Sequence, residues 1–129
     1  MNIVITGGAG FLGRRLAETL LERGVLGGSD GRAATINTIT LVDVVAAPGM
    51  TDARIRQVTG DVADRQVLER AIDAKTTSIF HLAAVVSGQA EADFDLGMRV
   101  NFDASRHLLE LCREVVEVVY ADVRRSLWP

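Results

Sequence analysis

The sequence predicts an α/β domain on a doubly wound parallel sheet, and three observations carry that prediction. Short β-branched runs alternate with amphipathic helical patterns. The runs are apolar almost continuously, not at every second position. The first run meets a helix across a glycine-rich turn, Val4-Ile5-Thr6-Gly7-Gly8-Ala9-Gly10-Phe11-Leu12-Gly13. Strands alternating with helices build βαβ units with right-handed crossovers, and a strand apolar on both sides belongs to a sheet covered on both faces. A chain of 129 residues is long enough for one such core and short of what two domains usually need. One domain spanning residues 1–129, with four to five strands, is therefore expected.

Taken in order, Asn2–Thr6 reads as a buried strand ended by glycines. In Phe11–Arg23 the period changes: Leu12, Leu16 and Leu20 recur every four residues among charged ones, which predicts an amphipathic helix that Gly24 ends. Val25–Thr35, with three glycines, Ser29 and Asp30, predicts a flexible surface loop. Thr38–Val45 is a second strand, Ile55–Val58 a third leading into Gly60-Asp61, and Ser78–Ala84 another. Asp64–Ala74 places Val67, Leu68, Ala71 and Ile72 on one helical face. Glu91–Arg113 is expected to be one long, bent helix with Phe94, Met98, Phe102, Leu108, Leu109 and Cys112 facing inward, and Val115–Ala121 a final strand.

Composition removes several classes of function. A net charge of -3 and a single lysine, Lys75, offer no basic face for nucleic acid. No apolar run reaches the roughly 20 residues that span a bilayer, and the N-terminus lacks the pattern of a signal peptide, so a cytoplasmic location is expected. The lone Cys112 excludes an internal disulfide and reads as core filler within a helix.

The glycines define the chemistry. The first turn of a helix has backbone N–H groups without intrahelical partners, and the helix dipole adds partial positive charge there. A pyrophosphate fits against that end only if no side chain projects from the loop. Gly7 suits the tight turn, Gly10 the close approach of phosphate, and Gly13 the packing of helix on strand. The spacing alone is also met by purely structural turns. The second strand, however, carries Asp43 near its end, where a carboxylate accepts from the adenosine ribose hydroxyls and repels a 2′-phosphate. That favours NAD over NADP, and no arginine follows in Val44–Gly49 to receive such a phosphate. Asp43 lies 30 residues beyond Gly13, where about 20 is usual; the 25–35 stretch accounts for the excess. Asp30 has the nearer spacing but lies inside that stretch and not at a strand end. A Rossmann-type fold is the expected architecture.

With Thr6–Gly13, Asp43, Gly60-Asp61-Val62 and His81-Leu82-Ala83-Ala84 in this order, the chain resembles the extended short-chain dehydrogenase/reductase family, whose members include NAD-dependent epimerases, dehydratases and dehydrogenases. The segments "LVDVVAAP" and "HLAAVVSGQAEADFDLGMRVN" are most similar to members that oxidise a four-carbon sugar acid with NAD. The resemblance implies a cofactor site formed by Gly7, Gly10, Phe11, Leu12, Gly13, Asp43, Asp61, Val62, Leu82, Ala83, Ala84 and Asn101. In it Asp61 accepts from the adenine amine, and the small Ala83 and Ala84 let the nicotinamide-side ribose pass. Asp61 also suits a turn or helix cap, His81 reads equally as a strand residue packed on the core, and Asn101 as a buried structural hydrogen bond. Ser87 and Gly88 correspond to a loop that faces substrate in relatives.

In that family a tyrosine, with a lysine four residues later, assists hydride transfer, and a serine or threonine orients the hydroxyl. Here Tyr120 is the only tyrosine, Arg124 stands where the lysine is required, and Asp122 falls near the serine position. Catalytic residues are therefore assigned to none of these positions. The resemblance implies a parent that continues for well over a hundred residues with a substrate domain, and a sheet edge left open to self-association. The alternatives are a non-catalytic NAD-binding regulatory module, a nucleotide-sugar epimerase or dehydratase fragment, and a product with no function. A methyltransferase is disfavoured by the Thr6–Gly13 motif together with "HLAA".

Overall fold

The computed structural model describes residues 1–28 and 30–115. β1 (Asn2–Thr6) leads through the glycine turn into α1 (Phe11–Arg23), which ends at Gly24 with φ +67° and its N–H on the Leu20 carbonyl at 2.9 Å. β2 (Val25–Gly27) and β3 (Ala33–Thr35) follow, then β4 (Thr38–Asp43), β5 (Ile55–Thr59), α2 (Arg65–Ala71) and β6 (Thr76–His81). The described chain closes with α3 (Ser87–Ala92), α4 (Phe94–Gly97), a π-helical segment (Met98–Asp103) and α5 (Ala104–Val115).

Among the described residues the main sheet has four parallel strands in the order β5-β4-β1-β6. The chain moves outward from β1 to β4 and β5, then returns to the other side of β1 for β6. That reversal opens a crevice at the carboxyl ends of the strands, where ligands bind in open α/β sheets.

The near-continuous apolar runs divide between two faces. On β1, Ile3 and Ile5 join one core cluster with Ala17 and Leu20 of α1, whereas Val4 joins the other with Val67, Leu68 and Ala71 of α2 and Leu108, Leu111 and Cys112 of α5. On β4, Ile39 and Leu41 go to the first cluster and Val42 to the second. Alternating side chains that all find apolar cover are what a doubly wound sheet requires.

Several expectations are corrected. The 25–35 stretch is no flexible loop: β2 and β3 pair antiparallel as a small hairpin, closed by the Gly28 N–H on the Arg32 carbonyl at 2.8 Å and by Gly31 at φ +76°. The second strand stops at Asp43, because the Asp43 carboxylate accepts the Val44 N–H at 2.8 Å and turns the chain, leaving Val44 and Val45 exposed. Asp64 is the N-cap of α2, accepting from the Gln66 N–H at 2.9 Å, and that helix ends at Ala71. β6 starts at Thr76 and ends at His81, earlier at both ends than Ser78–Ala84, since the Thr77 hydroxyl already exchanges hydrogen bonds with the Asn2 backbone at 3.0 Å.

The long helix is three helical pieces joined through a π turn. Asp93, at φ -136° and ψ 89°, separates α3 from α4. The wide π turn then inserts a residue, so a 3.6-residue period carried through it mistakes which face is inward. Leu108 and Cys112 are buried as expected, but Phe94, Met98, Phe102 and Leu109 are exposed, and Ala104 and Leu111 take the core positions. Burial pushes the Cys112 thiol up, so it serves as apolar filling. Of the expected last strand, Val115 ends α5 and the rest lies outside the described residues, with Tyr120, Asp122 and Arg124. Among the described residues no helix is long and apolar enough to cross a membrane.

Candidate functional site

The site begins at the glycine turn. Gly7 has φ +71°, and its N–H and that of Gly8 both reach the Val42 carbonyl, at 2.9 and 3.2 Å. A Cβ on Gly7 would lie 2.9 Å from the Ala83 nitrogen, and one on Gly13 would lie 2.1 Å from the Gly7 carbonyl oxygen. Gly13 thus lets α1 close onto the turn itself, where packing on the strand was expected. Gly10 differs: its φ of -72° and ψ of 169° suit any residue, and a Cβ there would meet only the Gly7 oxygen, at 3.3 Å. It caps α1 without a side-chain hydrogen bond, and the first turn holds no acidic residue. A bare, uncapped helix start is a site for an anion.

Asp43 closes one side. Its Oδ2 accepts the Ala9 N–H at 2.9 Å and its Oδ1 the Val44 N–H at 2.8 Å. A carboxylate offers about four lone-pair sites, so acceptor capacity remains for hydroxyls. Asp61, just beyond β5, accepts the Ala63 N–H at 2.9 Å through Oδ1 and the Arg99 guanidinium through Oδ2. Burial pushes the Asp61 carboxyl up, but the Ala63 N–H and Arg99 outweigh it and hold it below the usual range.

Across the crevice, the Thr6 hydroxyl accepts from the Leu82 and Ala83 N–H groups, both at 3.2 Å, and contacts His81 Nδ1 at 2.6 Å. With two donors already on it, its own proton is assigned to Nδ1. The ring proton then sits on Nε2, which donates to Ser105 Oγ at 3.1 Å, and that hydroxyl donates to the Asn101 carbonyl at 3.0 Å. Burial lowers the His81 pKa, in keeping with a neutral ring. The network ties the ends of β1 and β6 to the π turn.

These elements enclose a cavity of about 510 Å³. Gly7, Gly10, Phe11, Leu12, Gly13 and Asp43 line it from the first half of the chain, and Asp61, Val62, Leu82, Ala83 and Ala84 from the second. Asn101 is not in the lining: its side chain is a two-point clamp on Val85, accepting the N–H at 2.9 Å and donating to the carbonyl at 3.0 Å. The expected structural bond is present, but on an exposed residue. Ser87 and Gly88 begin α3 and are not in the lining either, while Lys75 precedes β6, at the other end of the strands. Among the described residues Asp30 bonds within its own turn, to the Arg32 N–H at 3.0 Å. Sequence reasoning missed Arg99, Val85, Gln89, Leu96 and Val100, which the α3 to π-turn region brings to the cavity. They lie on the loop before α3 and on the helical pieces after it, inside a segment in which no local spacing marks these five as facing the cavity. Among the described residues no group of histidine, cysteine and carboxylate side chains could hold a metal ion.

The D-erythronate dehydrogenase of Cupriavidus necator is 65% identical over 115 residues, covering 89% of this chain and 35% of that protein. The D-erythronate dehydrogenase of Haemophilus influenzae is 44% identical over 116 residues, covering 88% and 34%. The chain therefore spans about a third of the length of these curated relatives. Among solved structures, a nucleoside-diphosphate-sugar epimerase from Agrobacterium tumefaciens aligns with a TM-score of 0.67 at 37% identity, over 88% of this chain and 32% of that one. The Thermus thermophilus UDP-glucose 4-epimerase in complex with NAD aligns with a TM-score of 0.66 at 27% identity, over 88% and 34%. The sequence pattern of one family matches residues 3–122, and with the strand order and the glycine corner it places the chain in the NAD dependent epimerase/dehydratase family.

Proposed function

We propose that this chain is the NAD-binding part of an NAD-dependent oxidoreductase acting on a sugar acid or sugar-like alcohol. The observation that carries the reading is the convergence on one cavity of a bare, uncapped helix start with two carboxylates at the ends of neighbouring strands. Gly10 and the first turn of α1 would hold the pyrophosphate. Asp43 would accept from the adenosine ribose hydroxyls and exclude a 2′-phosphate. Asp61 and Val62 would meet the adenine, and Leu82, Ala83 and Ala84 the nicotinamide-side ribose. Asn101 would act at one remove, by holding Val85 in the lining. When bound, NAD supplies the hydride acceptor.

The substrate class rests on the likeness to the two D-erythronate dehydrogenases. No residue of this chain is assigned as catalytic. Because Tyr120 is followed four residues later by Arg124, a second reading is an NAD-binding module without turnover. A cytoplasmic location, to be checked by fractionation, and self-association through a sheet edge belong to the same proposal. Among the described residues β6 has a neighbour on one side only, and size-exclusion chromatography gives the assembly state.

Calorimetry of the chain with NAD and NADP, alongside Asp43→Ala, tests the reading. NAD should bind and NADP bind more weakly, and Asp43→Ala should lose about tenfold or more in NAD affinity, as for one hydrogen bond to a charged group. Failure of both nucleotides to bind would overturn it.

A further inference from the structure

We propose that Arg99 is a positioning residue of this cavity: it fixes the Asp61 carboxylate at the base-binding end and so sets selectivity for a base bearing an exocyclic amine. The inference rests on the NAD-binding reading above. Arg99 and Asp61 both line the cavity and meet across it, from the π turn and from the end of β5. As a structural tie the pair contributes little, since the two side chains are 52% and 36% exposed and solvent screens such surface pairs.

The surroundings single Arg99 out. Arg70 donates to the Thr59 carbonyl at 3.1 Å, His107 Nδ1 contacts the Ala63 carbonyl at 3.1 Å, and Arg65 is engaged by Glu69 and Glu114. Asp64 caps α2, and the Asp43 carboxylate is held by Ala9 and Val44. Among the described residues Arg99 is thus the cation that reaches the Asp61 carboxylate. Its own carbonyl accepts the Ala104 N–H of the π turn. The residue inserted there lets Arg99 face the cavity while Ala104, Leu108 and Cys112 stay in the core, and such turns recur at functional sites.

With one donor on each oxygen, Asp61 keeps acceptor capacity and has no proton to give. An adenine amine can donate to it, whereas a hypoxanthine carbonyl would set acceptor against acceptor. Without Arg99 the carboxylate is held by Ala63 alone, and is freer to rotate or take a proton; either change erases the distinction.

The test is calorimetry of the 129-residue chain with NAD and with nicotinamide hypoxanthine dinucleotide, for wild type, Arg99→Met, Arg99→Lys, Asp61→Asn and Asp61→Asn with Arg99→Met, with circular dichroism to confirm folding. Wild type should prefer NAD by about tenfold, the scale of one hydrogen bond to a charged group. Arg99→Met should lose most of that preference through weaker NAD binding, Arg99→Lys should retain part of it, and Arg99→Met should add no further loss in the Asp61→Asn background. Equal loss for both nucleotides, or a full loss from Arg99→Met persisting in that background, would overturn the proposal. So would a wild type that binds NAD without preferring it, which leaves the proposed function standing; a wild type that binds neither nucleotide overturns both.

Discussion

Two glycines three residues apart should fail in opposite ways. At Gly13 an added Cβ would sit 2.1 Å from the Gly7 carbonyl oxygen and 2.8 Å from the Gly8 Cα. Both neighbours are backbone, so α1 must retreat from the turn by about 1 Å to restore contact distance in a close-packed region. Overpacking of this kind costs ~1–3 kcal/mol, or more for a contact this short. Helix propensity returns about 1 kcal/mol on replacing glycine with alanine. Gly13→Ala should therefore lose about 2 kcal/mol net, roughly 8 °C in Tm for a domain of this size. At Gly10 the backbone suits alanine and the nearest contact is 3.3 Å, so Gly10→Ala should change stability by less than ~1 kcal/mol. Its methyl group enters the place proposed for phosphate, however, and NAD affinity should fall at least tenfold. Urea denaturation followed by circular dichroism, with NAD calorimetry on the same samples, separates the effects. A Gly13→Ala chain of wild-type stability would refute the packing account, and a Gly10→Ala chain that binds NAD normally would refute the phosphate account.

Thr6 is fully buried, and its hydroxyl serves two backbone N–H groups and His81. Thr6→Val keeps the shape but orphans the Ala83 N–H and His81 Nδ1, while the Leu82 N–H keeps the Thr6 carbonyl at 3.1 Å, and should cost about 3 kcal/mol, whereas Thr6→Ser should cost about 1 kcal/mol; urea midpoints that rank the two alike would count against the network. Burial places the His81 pKa below the usual imidazole value of about 6.5, so as the pH falls through that value the unfolded chain takes up a proton first. Stability should be complete above this range and decline below it, flattening once the folded chain is protonated too. Urea midpoints between pH 8 and pH 5 give the slope, and this part of it should vanish in His81→Gln; a slope unchanged in that variant would refute the assignment.

The hairpin of β2 and β3 shows why parts of the fold escape a sequence reading. Its strands have three residues each and no alternation, and they pair because the glycine turn closes on them. The π turn between α4 and α5 is another case: it breaks the 3.6-residue period, α5 presents Leu108, Leu111 and Cys112 to the core it shares with α2, and Phe94, Met98, Phe102 and Leu109 are exposed.

By itself the sequence determined whatever depends on neighbours along the chain. Phe11–Arg23 and its end at Gly24 follow from period and from a left-handed cap, and the glycine corner follows from a strand, bare residues and a helix in succession. Asp43 was legible as the carboxylate near the end of an apolar run, although the strand stops at Asp43 itself and not at Val45. The tertiary structure alone decided which distant groups meet: Asp43 with the Ala9 N–H, Thr6 with His81 and Ser105 beyond it, Asn101 with Val85, and Asp61 with Arg99. Each pair is brought together by the order β5-β4-β1-β6 and the helices that cross it. A hydrogen bond between residues far apart in the chain leaves no local period or spacing, because its geometry is fixed by sheet register and helix packing rather than by the residues on either side.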